Sequence, residues 1–284
     1  PCSIRDDWSP MTRILITGSN SGFGKLAALS LARQGHDVVA TMRTLAKGED
    51  LRTAAEVEDL PIEIRRLDVS DPASVAEGVG DPTRIDVIVN NAGFEVGGAL
   101  ELVDDELWTR QLDTNVLGPM RVIRAVLPAW RERSTGTIVN VSSIAGVVGS
   151  PFGGAYAASK HALEGLSEAL HFETSGFGIR VRLVEPGRFD TGFRDNIVSV
   201  AGWETSDYFD RAARFRESQG VLSGDGPAAD PQDVADAIVR AALDADAPFR
   251  TFVGNDAQLI HSVKSSMPFE GFEAVMRETL DWHE

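Results

Sequence analysis

The chain has one cysteine, Cys2, and only two tyrosines among 284 residues. A lone thiol permits no internal disulfide, so the fold must rest on packing and hydrogen bonds, and a reducing, cytoplasmic setting is expected. No apolar run approaches the roughly eighteen residues that a membrane span requires. The opening Pro1-Cys2-Ser3-Ile4-Arg5-Asp6-Asp7-Trp8 lacks the basic-then-apolar pattern of a secretion signal. Basic residues are also scarce: 27 Lys and Arg stand against 43 Asp and Glu, for a formal net charge of -16. That balance repels phosphate backbones, so no nucleic-acid partner is expected. No metal site is expected either. The sequence shows no internal repeat, no low-complexity tract and no Pro-, Gly- or Ser-rich linker. Residues 1–11 read as an N-terminal extension, with Met11 a candidate start, and 12–284 as a single domain.

Short β-branched runs alternate with helical stretches along most of the chain, which predicts an α/β fold with a doubly wound parallel sheet of about seven strands and helices on both faces. Strands are expected at 13–17, 37–41, 62–67, 85–90, 137–142, 179–185 and 250–253. Helices are expected at 22–34, 104–131 with a break, 155–175 and 231–243. The last begins with Asp230 as N-cap and Pro231 at the first helical position.

Two constellations carry chemistry. The first strand runs into Gly18-Ser19-Asn20-Ser21-Gly22-Phe23-Gly24 and then a helical stretch. A glycine-rich turn between strand and helix brings backbone N–H groups and the positive end of a helix dipole together, which suits a pyrophosphate. A tight turn without a ligand is the competing reading. The second constellation is Tyr156 and Lys160, with Ser143 thirteen residues before the tyrosine. Positions i and i+4 share a helix face, so an ammonium lies beside a phenol. A free phenol titrates near pH ~10, and a neighbouring cation and the helix start are both expected to lower that value. The pair suits general acid/base work on an alcohol or a carbonyl. Ser143 closes a strand at the carboxyl edge, where open parallel sheets bind ligands.

These motifs and their order resemble the short-chain dehydrogenase/reductase family of the single-domain kind, from about Thr12 to about Ala242. The phosphate loop is matched at Thr17, Gly18, Gly22 and Gly24. The Asn-Asn-Ala-Gly motif stands as Asn90-Asn91-Ala92-Gly93, the helix asparagine as Asn115, the serine as Ser143 and the Pro-Gly motif as Pro186-Gly187, with Thr191 after it. The resemblance implies a Rossmann-like NAD(P)-binding domain and a catalytic set of Asn115, Ser143, Tyr156 and Lys160. It implies that Asn115 holds a water touching Lys160, and that Lys160 both lowers the phenol's pKa and donates to the nicotinamide ribose. Cofactor contacts are then expected from Gly18, Ser19, Asn20, Ser21, Gly22, Phe23, Gly24, Arg43, Asp68, Val69, Asn91, Ala92, Gly93, Tyr156, Lys160, Pro186, Gly187, Phe189 and Thr191. At the end of the second strand, Met42 stands where NAD-specific relatives carry aspartate, and Arg43 follows. An arginine there can clamp a 2′-phosphate, so NADP(H) is favoured over NAD(H).

The expected substrate wall is mostly apolar: Phe94, Val148, Phe152, Phe193 and Trp203, with Ser143 and Tyr156 at the reacting group and Glu95 nearby. That suits an apolar ketone or secondary alcohol, and the stretches Ser150–Tyr156 and His161–Gly165 are similar to the hydroxysteroid and retinol dehydrogenase branch. The segment 193–230 reads as a lid over the substrate, with glycines around an amphipathic piece, Tyr208 to Glu217. A homodimer or homotetramer is expected through apolar faces that include Val116, Val122, Ala158, Ala162 and Leu166. Two other readings remain: a non-catalytic dinucleotide-binding regulator, and a sugar-nucleotide epimerase or dehydratase, which also uses Tyr-x-x-x-Lys.

Overall fold

The computed structural model describes residues 11–193, 196–223 and 229–282. Residues 1–10 of the expected extension, and Gly224 and Gly226 of the expected lid, lie outside them. The first half of the chain runs β1 (Arg13–Thr17), α1 (Gly22–Arg33), β2 (Asp37–Met42), α2 (Glu49–Val57), β3 (Ile62–Arg66), α3 (Pro72–Val79) and β4 (Val87–Asn90). It continues through β5 (Val96–Gly97), α4 (Asp105–Leu112), α5 (Gly118–Arg133), β6 (Gly136–Val141), α6 (Gly154–Ser175) and β7 (Ile179–Pro186). The last elements are β8 (Val198–Ser199), α7 (Phe209–Ser218), α8 (Pro231–Leu243), β9 (Arg250–Val253), α9 (Asn255–Ser266) and α10 (Phe269–Thr279).

Seven strands form one parallel sheet in the order β3-β2-β1-β4-β6-β7-β9. Alternate residues of each strand feed two separate cores. Ile14, Ile16, Val38, Ala40, Val87 and Val89 pack with Ala27, Leu31, Val234 and Ile238 of α1 and α8. Leu15, Val39, Ile88 and Ile138 pack on the other face with Val122, Ile123, Val126 and Trp130 of α5 and Leu170 of α6. Both faces of the central strands are therefore dry, which is why β1, β2, β4 and β6 read as nearly continuous apolar runs, whereas the edge strand β3 leaves Glu63 and Arg66 exposed. Each large side chain so buried contributes roughly 1.5–3 kcal/mol. All seven expected strands are present. The largest end shift is at β4, which begins at Val87, since the Ile85 carbonyl accepts from Trp130 Nε1 at 2.7 Å. Val122 is fully buried in the core, so it belongs to no outward face, whereas Ala158 and Ala162 are exposed.

The sheet order reverses between β1 and β4, and the crevice above that switch point is where open α/β sheets take ligands. The glycine loop after β1 and the Asn91-Ala92-Gly93 turn after β4 both open into it. The expected break in the helix at 104–131 is a π-helical turn, Asp113–Leu117, between α4 and α5. Gly118 N–H bonds back to the Asp113 carbonyl, five residues away, and Pro119 has no N–H to give to the Asn115 carbonyl. The turn re-aims Asn115 toward the crevice floor. In the expected lid, β8 pairs with β5, and Trp203, Ala212 and Phe215 are buried.

Candidate active site

Above the sheet lies a cleft of about 1340 Å³ that runs from Arg43 and Asp68 at one end to α10 at the other. At its cofactor end the backbone is held by side chains beneath it. Thr17 Oγ1 accepts from the N–H groups of Asn91 and Ala92, each at 3.0 Å. Asn91 Nδ2 donates to the carbonyls of Thr17 at 3.0 Å and Gly18 at 3.1 Å. These bonds fix the course of the loop, and one of its amides, Ser19 N–H, is taken by the Thr41 carbonyl at 2.9 Å. Gly18 adopts φ +70°, and a Cβ on Gly24 would lie 2.4 Å from Asn91 Nδ2, so both positions demand glycine. Ser21 caps α1 without a side-chain hydrogen bond, which leaves the first-turn N–H groups to a ligand. This donor set fits a pyrophosphate.

Of the expected cofactor residues, Gly18, Asn20, Ser21, Gly22, Phe23, Arg43, Asp68, Val69, Asn91, Ala92, Gly93, Pro186, Gly187, Phe189 and Thr191 line the cleft. Ser19 and Gly24 stand behind that lining. Ser19 is fully buried, and its hydroxyl donates to the Ile16 carbonyl at 3.0 Å. Met42 is buried beneath Gly48 and presents no acceptor to the cleft. Lys47, which the sequence reading did not single out, lines it beside Arg43.

Ser143, Tyr156 and Lys160 converge at the centre. Ser143 follows the end of β6, hydrogen-bonds to Tyr156, and accepts from the Ala145 N–H at 3.1 Å. Tyr156 is half-buried and faces the cleft, with the Phe193 ring 5.9 Å away. Lys160 is buried, and its Nζ donates to the Val141 carbonyl at 2.8 Å and lies 5.6 Å from the centre of the tyrosine ring. The expectation that every local influence lowers the phenol's pKa is corrected. Burial pushes Tyr156 up, the Glu95 carboxylate adds to that, and only the Ser143 hydrogen bond pulls it down. Burial likewise pushes Lys160 down, to about 8, against the pull of Glu164. At neutral pH the phenol carries its proton and the lysine its charge, the state in which the tyrosine is a proton donor.

Asn115 does not line the cleft. Its Oδ1 accepts from Phe94 N–H at 3.2 Å, and its Nδ2 donates to the Phe94 carbonyl and Ser159 Oγ, each at 3.0 Å. The carboxamide is a brace, so any water of the kind the resemblance implies would have to meet its backbone carbonyl. Gln111, one turn earlier and unforeseen, completes the brace by accepting from Val96 N–H at 2.7 Å and donating to the Phe94 carbonyl at 2.8 Å. Together they hold Phe94–Val96 so that Glu95 lines the cleft near Tyr156.

At the substrate end, Phe94, Val148, Phe152, Phe193 and Trp203 all line the cleft. Phe152 packs on Trp203, Tyr208 and Phe215 with ring centres 5.9–6.4 Å apart. The far wall was missed: Ile260 of α9, Phe269, Phe272 and Met276 of α10, and Leu280 and Trp282 beyond. Phe269, Phe272 and Met276 recur at helical spacing, a signal that could have found them. Polar groups at this end include Arg188, Arg216, Gln219 and Arg277. Among the described residues no group of three metal-ligating side chains occurs, and no helix is long and apolar enough to cross a membrane.

A strand–glycine loop–helix unit, a switch-point crevice and a Ser–Tyr–Lys centre define a nucleotide-dependent redox fold. The short chain dehydrogenase family profile matches residues 12–201, and the chain belongs to that family. It is 38% identical over 254 residues to a 3-ketodihydrosphingosine reductase of Bacteroides thetaiotaomicron, covering 89% of this chain and 91% of that protein. It is 39% identical to retinol dehydrogenase 8 of Bos taurus, covering 84% and 80% of the two chains. The solved structure of a short-chain dehydrogenase from Streptomyces avermitilis is 32% identical, superposes with a TM-score of 0.74 and covers 95% of this chain and 99% of its own. The protein is an NAD(P)-dependent oxidoreductase that moves a hydride between the nicotinamide and its substrate.

Proposed function

We propose that this enzyme interconverts apolar ketones and secondary alcohols, and that it prefers NADP(H) to NAD(H). The observation that carries the substrate class is the wall opposite Tyr156, built from Phe152, Phe193, Trp203, Phe215, Phe272 and Met276. A wall of that kind takes up alkyl or ring surface, and Arg188, Arg216, Gln219 and Arg277 share that end of the cleft. The cofactor preference is supported by Arg43 and Lys47 at the adenosine end, and by Met42, whose burial leaves no carboxylate there for ribose hydroxyls.

A bound nicotinamide supplies or accepts the hydride. The first-turn amides of α1 and the loop from Gly18 to Phe23 would hold its pyrophosphate, while Asp68 and Val69 would flank the adenine. Pro186, Gly187, Phe189 and Thr191 would border the nicotinamide end. In the reducing direction Tyr156 gives its phenolic proton to the substrate oxygen, and Ser143 donates a hydrogen bond to the same atom as charge develops. Lys160 places a positive charge behind the phenolate so formed and would hold the ribose hydroxyls of a bound cofactor. Within the expected lid 193–230, Phe193 and the described stretch 196–223 would shield the substrate end from water, consistent with the Phe193 ring centre lying 5.9 Å from that of Tyr156. Assembly as a homodimer or homotetramer is supported by α6, which leaves Ala158, Ala162 and Phe172 exposed.

Glu95 favours a second reading within the same chemistry. A carboxylate lining the cleft near Tyr156 would attract a cation beside the reacting carbonyl. A 3-ketodihydrosphingosine has an amine on the carbon next to its ketone, followed by a long alkyl chain. The test is consumption of NADPH and NADH against a panel of steroid ketones, simple alkyl ketones and long-chain 2-amino ketones. Faster turnover with NADPH on apolar ketones is expected, and a clear advantage for the amino ketones would select the second reading. Turnover confined to small polar carbonyls, or faster with NADH, would contradict the proposal.

A further inference from the structure

Behind Lys160 lies a buried charge cluster that the reaction itself never touches. Glu164 sits one helical turn beyond Lys160 on α6, with its side chain 6% exposed, and Glu185 of β7 is 0% exposed. Arg250, the first residue of β9, joins them. Its Nη1 lies 2.7 Å from Glu185 Oε1 and also bonds Glu164, while Nη2 reaches Glu168 at the rim at 2.5 Å. Three carboxylates therefore meet one guanidinium. Buried charge without compensation is costly, so such a cluster holds a proton. The place for it is between Glu164 and Glu185, since Glu164 Oε1 and Glu185 Oε2 are both buried without a hydrogen-bond partner among the described residues. Burial and the neighbouring Glu164 push the Glu185 carboxyl well above the usual range. With one proton aboard, the cluster is still negative by one charge overall.

Lys160 is the cation this charge faces. On α6 its neighbours are Tyr156, whose ring centre is 5.6 Å away, and Glu164 one turn on, which acts on it through its field; from β6 it meets the Val141 carbonyl, and Lys160 Nζ and Asn115 Oδ1 both flank Gly93. Glu185 and Arg250, from β7 and β9, lie behind Glu164. Glu164 also approaches the loop after β6: a Cβ on Gly146 would lie 2.8 Å from both Glu164 Oε1 and Ser142 Oγ. The acid thus spans the lysine's helix and the strand that carries Ser143.

We propose that Glu164 is a positioning residue that keeps the Lys160 ammonium charged inside a dry pocket, and that Glu185 lets it do so by holding the cluster's proton. The proposal rests on the proton-relay reading of Lys160 above. Glu164, paired to Arg250, supplies the negative field that burial of Lys160 would otherwise lack. Glu185 is neutral below about 8, where its glutamine analogue should mimic it.

The test reads the lysine directly. The chain has four lysines, so their 13C-labelled Cε resonances can be assigned by substitution and titrated in the full-length protein. In the unaltered protein the Lys160 signal, identified by its absence in Lys160→Arg, should titrate near 8. Glu164→Gln should lower that midpoint by about one pH unit, the order expected of one partly compensated charge. The alkaline limb of turnover should move down with it. Glu185→Gln should move both by clearly less than Glu164→Gln does, since Glu185 is neutral below about 8 and ionises only over the lysine's own range. An unmoved lysine in Glu164→Gln would overturn the proposal, and so would a shift in Glu185→Gln as large as that in Glu164→Gln. If Glu164→Gln does not fold, Glu164→Met removes the same charge, and an unmoved lysine there would overturn the proposal equally. A protein in which the resonance shifts as expected but no ketone is reduced would sink the functional reading and leave this one standing.

Discussion

The two ends of the cleft are built from different materials. The cofactor end is mainly backbone: a glycine loop, the first turn of α1 and the Asn91–Gly93 turn, pinned by Thr17 and Asn91 from below. The substrate end is mostly side chain, with aromatics from α7 and α10, Ile260 from α9 and the segments around Phe152 and Trp203 facing one another. A surface of amides recognises one shape, the pyrophosphate, and tolerates little change. A surface of rings offers area and can be reshaped residue by residue without disturbing the sheet. The catalytic centre sits at the seam, with Ser143 and Lys160 fixed by the sheet's edge and Tyr156 turned toward the rings.

That contrast can be broken or sharpened by substitution. The largest effect is expected at the seam. Tyr156→Phe should lower turnover by roughly 10²–10⁴-fold, the usual weight of a general acid. NADPH affinity, measured by fluorescence titration, should change little, because the backbone end is untouched. At the cofactor end, Gly24→Ala drives a methyl into Asn91 Nδ2 and the Gly18 carbonyl, at 2.4 and 2.6 Å. It should destabilise the fold by about 1–3 kcal/mol in denaturant unfolding and abolish measurable cofactor binding. Arg43→Gln should weaken NADPH binding roughly tenfold or more while leaving NADH nearly unchanged, a split expected from losing a charge-assisted pair with a phosphate. Equal losses for both cofactors would mean that Arg43 is only a surface charge. The smallest effect belongs to the ring wall. Phe272→Ala should raise KM for large apolar ketones by roughly tenfold or less and spare small ones, with the fold intact by circular dichroism.

The same contrast explains what was legible in the sequence. Backbone sites leave marks, because only glycine accepts φ +70° at Gly18 or the close approach at Gly24. The central strands were legible because both of their faces are buried, and Tyr156, Lys160 and Ser143 because their spacing is tied to a helix and a strand end. The side-chain end left weaker marks. Phe272 and Met276 look like any apolar helix face until the helix is seen to wall the cleft. Gln111 was illegible for a related reason: a buried amide that braces a neighbouring loop has no local signature. The direction of the Tyr156 shift was also out of reach. Its neighbours along the helix suggested a lowered pKa, whereas the deciding influences are burial and Glu95, which is distant in sequence.

The most direct measurement is isotopic. NADPH carrying deuterium at both C4 positions of the nicotinamide, supplied with an apolar ketone, should yield an alcohol with one deuterium on its carbinol carbon, and Tyr156→Phe should nearly abolish that product. An alcohol without the label, or full labelled yield from Tyr156→Phe, would contradict a hydride transfer completed by the proton of Tyr156.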